Sequence, residues 1–146
     1  MIDRETELRA MIVAEAKECV GTRFRHQASL KGVGMDCIGL ISWVATAMGF
    51  PEGKAFRSDP SFRGYARQPD PALLKTALDK YLDRVSVPQI GDIVLMRFEK
   101  EPQHFGILSA KDYLIHAYQP SRKVVENRIN DDWRSRIVSY HKFKEL

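Results

Sequence analysis

The first half of the chain repeats its apolar residues every three to four positions, which is the spacing of a helix with one buried face. Such runs cover residues 3–19, 37–48 and 70–81. Gly21 and Gly49 follow the first two runs as stop signals, and the Asp70-Pro71 pair gives the third a cap and a first-turn proline. The pattern predicts three helices.

The second half of the chain concentrates β-branched and aromatic residues in short runs between turn residues. These runs predict strands at residues 92–98, 104–110, 113–118, 123–129 and 137–143. Lys111-Asp112 is typical of a tight hairpin connection. Helices followed by consecutive strands indicate an α+β fold, in which N-terminal helices pack on a central antiparallel sheet within a single domain over residues 1–146.

Two segments show neither period and are predicted to be loops. Residues 21–35 hold three glycines and a cluster of polar groups directly before the second predicted helix. Residues 50–70 are rich in proline and glycine. Long loops in compact domains are commonly functional, so the first of these segments bears on the chemistry of the helix that follows it.

Composition and charge exclude some classes of protein. A chain of 146 residues with 44% hydrophobic content can bury a core without disulfide or metal staples. No run approaches the roughly 18 apolar residues of a membrane span, and the charged N-terminus lacks a secretory segment, so we expect synthesis in the cytoplasm without a signal peptide. The net charge of +4 fits an anionic partner or an ordinary solvated surface.

The two cysteines of the chain require separate explanations, because they are too few for a structural zinc site. Cys19 lies on the apolar stripe of the first helix, where a buried and inert thiol is expected. Cys37 lies in the first turn of the second helix, with Asp36 as a suitable cap. The helix dipole and free backbone N–H groups favour a thiolate there and can stabilise an oxyanion, so Cys37 is the candidate nucleophile.

A cysteine nucleophile needs a base, and histidine is the usual one. His104 begins a predicted strand, and His116 lies in the next strand of the same hairpin. A hairpin that turns at residues 111 and 112 pairs His104 with the neighbourhood of residue 119, so a bulge or a slip is needed to bring His116 beside it. Each histidine taken alone is more often structural, and the pair indicates a plausible Cys/His site.

Four ordered motifs resemble the NlpC-type family of cell-wall cysteine peptidases. They are Gly21-Thr22-Arg23-Phe24 leading to Asp36-Cys37-Ile38-Gly39-Leu40, then Gly91-Asp92-Ile93-Val94, then His104-Phe105-Gly106-Ile107, and then Ile115-His116-Ala117. The twelve-residue step from His104 to His116 is similar too, and the resemblance covers about residues 5–120. The extended loop with His26-Gln27 most resembles the branch encoded with phage-tail and gene-transfer-particle genes.

The resemblance implies a papain-like α+β fold and hydrolysis of peptidoglycan stem peptides, between D-glutamate and a diamino acid, without a cofactor or a metal. It implies that Cys37 attacks the carbonyl, that His104 transfers the proton and that His116 orients His104. Asp36 is then expected near the amino group of the substrate. The implied partners are stem peptides and phage-tail-like structural proteins, not nucleic acid or a membrane, with delivery to the cell envelope in a phage-like particle.

Two positions depart from the pattern of the family. Phe24 stands where the family usually has a tyrosine whose hydroxyl lies near the nucleophile, and Ile38 stands where it usually has a serine in contact with substrate. Both positions are therefore predicted to line the substrate site. His26 or Gln27 is the candidate to supply the missing hydrogen-bond donor.

Three other interpretations stay open at the level of sequence. The chain could be a tail-assembly or peptidoglycan-binding module on the same fold, with weak activity or none. Cys37, His104 and His116 are enough in number to hold a catalytic zinc ion. A transferase or an amidase would use the same Cys/His site, because that site fixes acyl chemistry and not the acceptor.

Overall fold

The computed structural model describes residues 2–65, 70–98 and 101–146, leaving aside the side chains of residues 101 and 102. The helices in these ranges are α1 (Arg4–Cys19), α2 (Cys37–Ala47), α3 (Pro51–Ser58), α4 (Pro71–Tyr81) and α5 (Asp131–Arg136). The strands are β1 (Ser29–Leu30), β2 (Gly34–Met35), β3 (Leu82–Val85), β4 (Ile93–Phe98), β5 (Glu101–Ala110), β6 (Tyr113–Tyr118), β7 (Lys123–Arg128) and β8 (Ile137–Phe143). None of the helices described is both long and apolar enough to cross a membrane.

Six strands form the central sheet in the order β3-β8-β4-β5-β6-β7, and every neighbouring pair is antiparallel. The five strands predicted from the sequence correspond to β4 through β8. The three predicted helices correspond to α1, α2 and α4. The α+β fold with helices on an antiparallel sheet is therefore confirmed.

The loop prediction for residues 50–70 is wrong over its first part, where α3 forms. Pro51 occupies the first turn of α3, and a 3-10 turn follows at Pro60–Phe62. Phe56 stacks on Phe62 and meets Tyr81 of α4 edge-on, so contacts from outside the segment hold it in place. Residues 66–69 of this segment lie outside the described residues.

The loop prediction for residues 21–35 also needs correction, because β1 and β2 form a small hairpin within it. The segment is fastened to the central sheet by backbone bonds at its start: the N–H of Gly21 donates to Val124 O (2.9 Å), and the N–H of Phe24 donates to Arg122 O (2.9 Å). These partners lie about a hundred residues away along the chain, so periodicity within the segment could not reveal them.

The sheet separates two apolar clusters. The larger cluster lies under α1, α2 and α4 and includes fully buried Ile12, Leu40 and Ile107. The smaller one lies on the other face, where α5 brings Trp133 against residues such as Leu108 and Leu114. The two faces thus carry different elements, with α1, α2 and α4 on one face and α5 on the other.

The Gly-Asp motif before β4 has a structural role. Asp92 is fully buried and accepts a hydrogen bond from Arg9 Nη1 of α1 at 2.6 Å and one from the backbone N–H of Gln89 at 2.7 Å. Arg9 is itself buried and also donates to Ile90 O and to Glu5. This ion pair joins α1 to the start of β4.

Candidate active site

The start of α2 is fixed by the carboxylate of Asp36. Asp36 Oδ1 accepts from the backbone N–H of Gly39 at 2.7 Å, and Oδ2 accepts from the backbone N–H of Gln27 at 2.8 Å and from the hydroxyl of Tyr65 at 2.6 Å. A Cβ atom at Gly39 would collide with the carbonyl of Ala28, so glycine lets the preceding loop close over the first helical turn. The cap predicted at Asp36 is confirmed.

Cys37 is the first residue of α2 and lines a cleft of about 620 Å³. The cleft is lined by Phe24, Cys37, Arg97, Phe98, Gln103, His104, Ala117, Tyr118, Gln119, Pro120, Ser135 and Arg136. The helix therefore delivers the thiol from one side of the sheet, and β5 delivers His104 to the same cleft. Cys37 keeps 7% of its surface exposed, whereas Cys19 has none.

The two histidines meet because of a bulge in the β5–β6 hairpin. Ala110 pairs with Tyr113 at the turn, but after a shift between Leu108 and Ala110 the register becomes Leu108 with Leu114. This shift of one residue puts His104 and His116 on the same face, two positions apart along the sheet. His104 Nε2 lies 2.7 Å from His116 Nδ1, in a buried hydrogen bond.

The hydrogen-bonded chain continues to a residue that the sequence analysis did not single out. His116 Nε2 lies 2.5 Å from Asn127 Oδ1, and Asn127 Nδ2 donates to the carbonyl of Arg128 at 3.0 Å. Asn127 sits on β7, diagonal to His116 across the β6–β7 ladder, where Leu114 is its direct partner. Strand periodicity alone gives no register for this pair, so no local signal marked Asn127.

Aromatic rings surround the histidine pair. The ring of His116 stacks on Tyr118 with centroids 5.0 Å apart and meets Trp133 of α5 edge-on at 5.0 Å. The ring of His104 packs against Phe98 at 5.0 Å. These contacts confine both imidazoles and exclude water from their faces.

Burial favours the neutral forms of the Cys/His groups. Burial, with the neighbouring Asp36 carboxylate, raises the pKa of the Cys37 thiol to about 12, while the backbone groups of Phe105, Ile38 and Cys37 itself act in the opposite direction. Burial lowers the pKa of His104 well below its ordinary value, and lowers that of His116 to about 4. A neutral imidazole and a neutral thiol thus line the same cleft.

Tyr65 is a second polar residue that the sequence analysis missed. Its hydroxyl bonds to Asp36, and burial together with the nearby Asp36 charge raises its pKa. Phe24, in contrast, lines the cleft with Cys37 and presents no hydroxyl. Tyr65 thus brings a phenol to the start of α2, where it is engaged with the carboxylate.

The remaining predicted substrate residues are placed in two groups. His26 Nδ1 lies 4.0 Å from Asp36 Oδ2 and its ring meets Tyr65 edge-on, while the side chain of Gln27 donates to Tyr65 O. Ile38 lines an apolar cavity of about 60 Å³ between α2, α3 and α4. Their predicted roles toward substrate, and that of Asp36, stay predictions.

The zinc interpretation finds no support in this geometry. Within the described ranges, no group of three His, Cys, Asp or Glu side chains is arranged to hold a metal ion. The reason is visible at His116, because both of its ring nitrogens already face hydrogen-bond partners in His104 and Asn127. A ligand nitrogen would have to give up one of those bonds.

A comparison of the sequence with protein-family models finds one family that matches most of the chain. The model of the NlpC/P60 family matches residues 21–142, a stretch that contains Cys37, His104 and His116. Comparison with the curated proteins finds no match in sequence.

Solved structures share the fold at low sequence identity. The NlpC/P60 domain of the peptidoglycan hydrolase SagA is 20% identical, with a TM-score of 0.56, over 90% of this chain and 96% of that one. A lipoprotein-like NLP/P60 protein of Staphylococcus aureus is 16% identical with a TM-score of 0.65, over 97% of this chain but 42% of its own. The peptidoglycan hydrolase RipB of Mycobacterium tuberculosis is 14% identical with a TM-score of 0.54, over 97% of this chain and 67% of its own.

Proposed function

The chain belongs to the NlpC/P60 family, and on that premise we propose that it is a cysteine peptidase that hydrolyses the stem peptides of peptidoglycan. The observation that carries the proposal is that Cys37 and His104 line one cleft and that His116 is hydrogen-bonded to His104. Two proteins of similar fold, SagA and RipB, are peptidoglycan hydrolases, which supports the choice of substrate.

In the proposed reaction, the imidazole of His104 takes the proton of the Cys37 thiol as the sulfur attacks the scissile carbonyl carbon. The oxyanion forms beside the first turn of α2. The N–H of Gly39 already donates to Asp36. The backbone groups of Cys37 and Ile38 lie at the sulfur and favour negative charge there. His104 then protonates the leaving amine, and water hydrolyses the thioester to regenerate the thiol.

The finer assignments are also proposals. The bond cleaved is that between D-glutamate and a diamino acid, and the protein reaches the envelope in a phage-like particle, docked on tail structural proteins. The extended loop that holds His26 and Gln27 supports this branch by resemblance. Since that loop bonds to Asp36 and Tyr65, it is built into the candidate site.

The central experiment incubates the purified protein with peptidoglycan and analyses the released fragments by mass spectrometry. We expect soluble stem-peptide fragments whose termini define the bond cleaved, and we expect Cys37→Ala to release none. Cys19→Ala is the matched control, because its thiol is fully buried away from the cleft. Release by Cys37→Ala at the rate of the unmodified protein would show that the nucleophile is misassigned.

A second candidate function is peptidoglycan binding without hydrolysis. It is favoured by the apolar side chains Phe24 and Ile38 where the family usually has polar ones. Alkylation separates the two candidates. For a peptidase, iodoacetamide should label Cys37 at least about tenfold faster than Cys19 at pH 7, and His104→Ala should slow that labelling, because the base assists removal of the thiol proton. Equally slow labelling of both cysteines, with intact binding to cell walls, would favour the binding module.

A further inference from the structure

We propose that Asn127 is a positioning residue that fixes the proton positions of both histidines so that His104 presents an unprotonated Nδ1. The inference rests on the proposed function, in which His104 is the base. It adds a fourth member to the series Cys37, His104, His116. Its evidence is the pattern of donors and acceptors at the far end of that series.

The orientation of the Asn127 amide is determined by its neighbour. Asn127 Nδ2 bonds to the carbonyl oxygen of Arg128, and a carbonyl can only accept. The nitrogen end of the amide is therefore at Arg128, and the oxygen end is the atom that faces His116. Amide oxygens accept hydrogen bonds and do not donate them.

The proton positions follow along the chain of bonds. Because Asn127 Oδ1 accepts, Nε2 of His116 must carry the hydrogen. A neutral imidazole carries one N–H, and burial keeps His116 neutral by lowering its pKa to about 4, so Nδ1 of His116 is an acceptor. His104 must then donate from Nε2, and the hydrogen bond of 2.7 Å between the rings is satisfied.

The consequence reaches the nucleophile. With Nε2 of His104 protonated and its ring neutral, Nδ1 is the lone pair that remains to accept the thiol proton. An acceptor at Asn127 thus selects the tautomer of a base two hydrogen bonds away. In serine proteases, the wrong tautomer of the base lowers kcat by about ten-thousandfold. At metal sites, loss of the hydrogen-bond partner that orients a ligand histidine costs about ten- to a hundredfold, and Asn127 stands in the same relation to His116.

The test replaces Asn127 by Leu, which has a similar size and no acceptor, and by Asp, which keeps the acceptor. We expect Asn127→Leu to lower kcat about ten- to a hundredfold with little change in KM, and Asn127→Asp to retain most of the rate while moving the acid limb of the pH profile upward, because a carboxylate raises the pKa of His116. Glu126→Gln is the control, since it lies next to Asn127 on β7 and bonds to Ser109.

A second measurement needs no substrate and so stands apart from the proposed peptidase activity. Nitrogen-15 correlation spectra of the imidazoles should show Nε2–H on both His104 and His116 in the unmodified protein, and mixed tautomers in Asn127→Leu. Identical tautomers and identical kcat in Asn127→Leu would overturn the proposal. Absence of hydrolysis with the expected tautomers would instead refute the proposed function alone.

We infer, from a separate observation, that Arg97 and Arg136 form a subsite for a carboxylate group of the peptide substrate. This inference also rests on the proposed function. Both arginines line the cleft that holds Cys37, and among the described lining residues there is no aspartate or glutamate. The described walls of the cleft therefore carry only positive charge.

The Arg136 guanidinium is held in place for such a contact. It lies over the rings of Phe98 and Trp133, with centroids 5.2 Å and 5.1 Å away, and pairs with Asp132 at 3.2 Å. Arg97 donates to the carbonyl of Ser135 at 3.4 Å, which places its head group beside the end of α5. A planar guanidinium still has donors for a second acceptor, and carboxylates match its geometry.

The test uses two synthetic stem peptides that differ at one carboxyl group that is not part of a peptide bond. This carboxyl group is free in one peptide and amidated in the other. We expect Arg97→Gln and Arg136→Gln each to raise KM for the free acid about tenfold, with little effect on the amide and on kcat. Arg134→Gln is the control, because it lies on the same helix and pairs with Asp112 outside the cleft.

Binding of the same peptides to Cys37→Ala, measured by calorimetry, separates this subsite from the peptidase assignment. Tighter binding of the free acid, lost in Arg136→Gln, supports the subsite even where hydrolysis is not seen. Equal affinities for acid and amide, unchanged by both substitutions, would overturn it.

Discussion

At the scale of single residues, burial controls the protonation of the candidate site. The pKa of His116 in the folded protein is about 4, against an ordinary value of 6.5, because the ring is shielded from water. Between these two values the unfolded chain binds a proton that the folded chain does not. Stability contributed by the neutral ring is therefore complete above about pH 7 and decreases as the pH is lowered.

We accordingly predict that lowering the pH from 7 to 5 reduces the free energy of unfolding through His116 by about 2 kcal/mol. The measurement is urea unfolding at both pH values for the unmodified protein and for His116→Gln. The variant should lose less between the two pH values, because glutamine does not titrate, whatever its stability at pH 7. An equal loss in both proteins would show that His116 is not held neutral by the fold.

The residues that could be singled out from the sequence are those marked by a short local motif. Cys37 follows a helix cap, and the Asp36-Cys37 step is read directly from the sequence. Asn127 and Tyr65 were not predictable in the same way. Asn127 depends on strand register, and Tyr65 reaches Asp36 from a turn 29 residues later. Their contribution arises from tertiary contacts that leave no local pattern.

At the scale of elements, the buried pair of Arg9 and Asp92 joins the first helix to the central sheet. Both side chains are almost fully buried, and Arg9 Nη1 lies 2.6 Å from Asp92 Oδ1. Removing one partner leaves the other charge buried without compensation, and such changes typically reduce stability by about 3–5 kcal/mol.

We predict that Arg9→Met lowers the free energy of unfolding by about 3 kcal/mol, and that Asp92→Asn added to it restores part of the loss, because the stranded charge is gone. Denaturant unfolding of the two single variants and the double variant measures the coupling between the residues. Lys75→Ala, which breaks an exposed pair with Asp79, should change stability by less than about 1 kcal/mol. Additive effects of the two buried substitutions would contradict the interpretation.

Helices of three turns or more and strands of six residues or more were predictable from the sequence, and shorter elements were not. The sixteen residues of α1 contain several repeats of the helical period. Strand β3 has four residues and continues directly from α4, and α5 has six, so neither is long enough to establish a period. Their formation depends on the sheet edge beside them and, for α5, on the Asn130 cap that accepts from the N–H of Trp133.

At the scale of the whole molecule, the two tryptophans report on opposite faces of the sheet. Trp43 lies in α2 over the larger apolar cluster and donates to Glu15 at 2.9 Å. Trp133 lies in α5 over the smaller cluster. A fold whose two faces share one sheet should lose both clusters together.

We predict that Trp43→Phe and Trp133→Phe, each with one remaining tryptophan, give fluorescence transitions in urea that coincide with the transition seen by circular dichroism of the same variant. Coincidence is expected for a single cooperative domain. If the fluorescence and circular dichroism transitions of one variant had different midpoints, the two faces would unfold independently. That result would contradict the single-domain prediction.

The overall architecture was predictable because helical runs precede strand runs in the chain, and this order alone indicates helices on an antiparallel sheet. The order of elements along the chain does not determine the order of the strands across the sheet. Strand β8 inserts between β3 and β4, and this crossover places α5 on the face opposite the main helices. The cleft, which needs residues from α2, β5 and α5 at once, is a product of that arrangement.

The bulge between Leu108 and Ala110 also bears on how the protein is made. A ribosome completes Cys37 long before it completes the hairpin that brings His104 and His116 to one face, and Asn127 follows ninety residues after the cysteine. Until those strands have paired, the nascent chain carries a thiol without an aligned base. Any translation product that stops before β7 lacks Asn127, so abortive synthesis yields fragments without the complete candidate site.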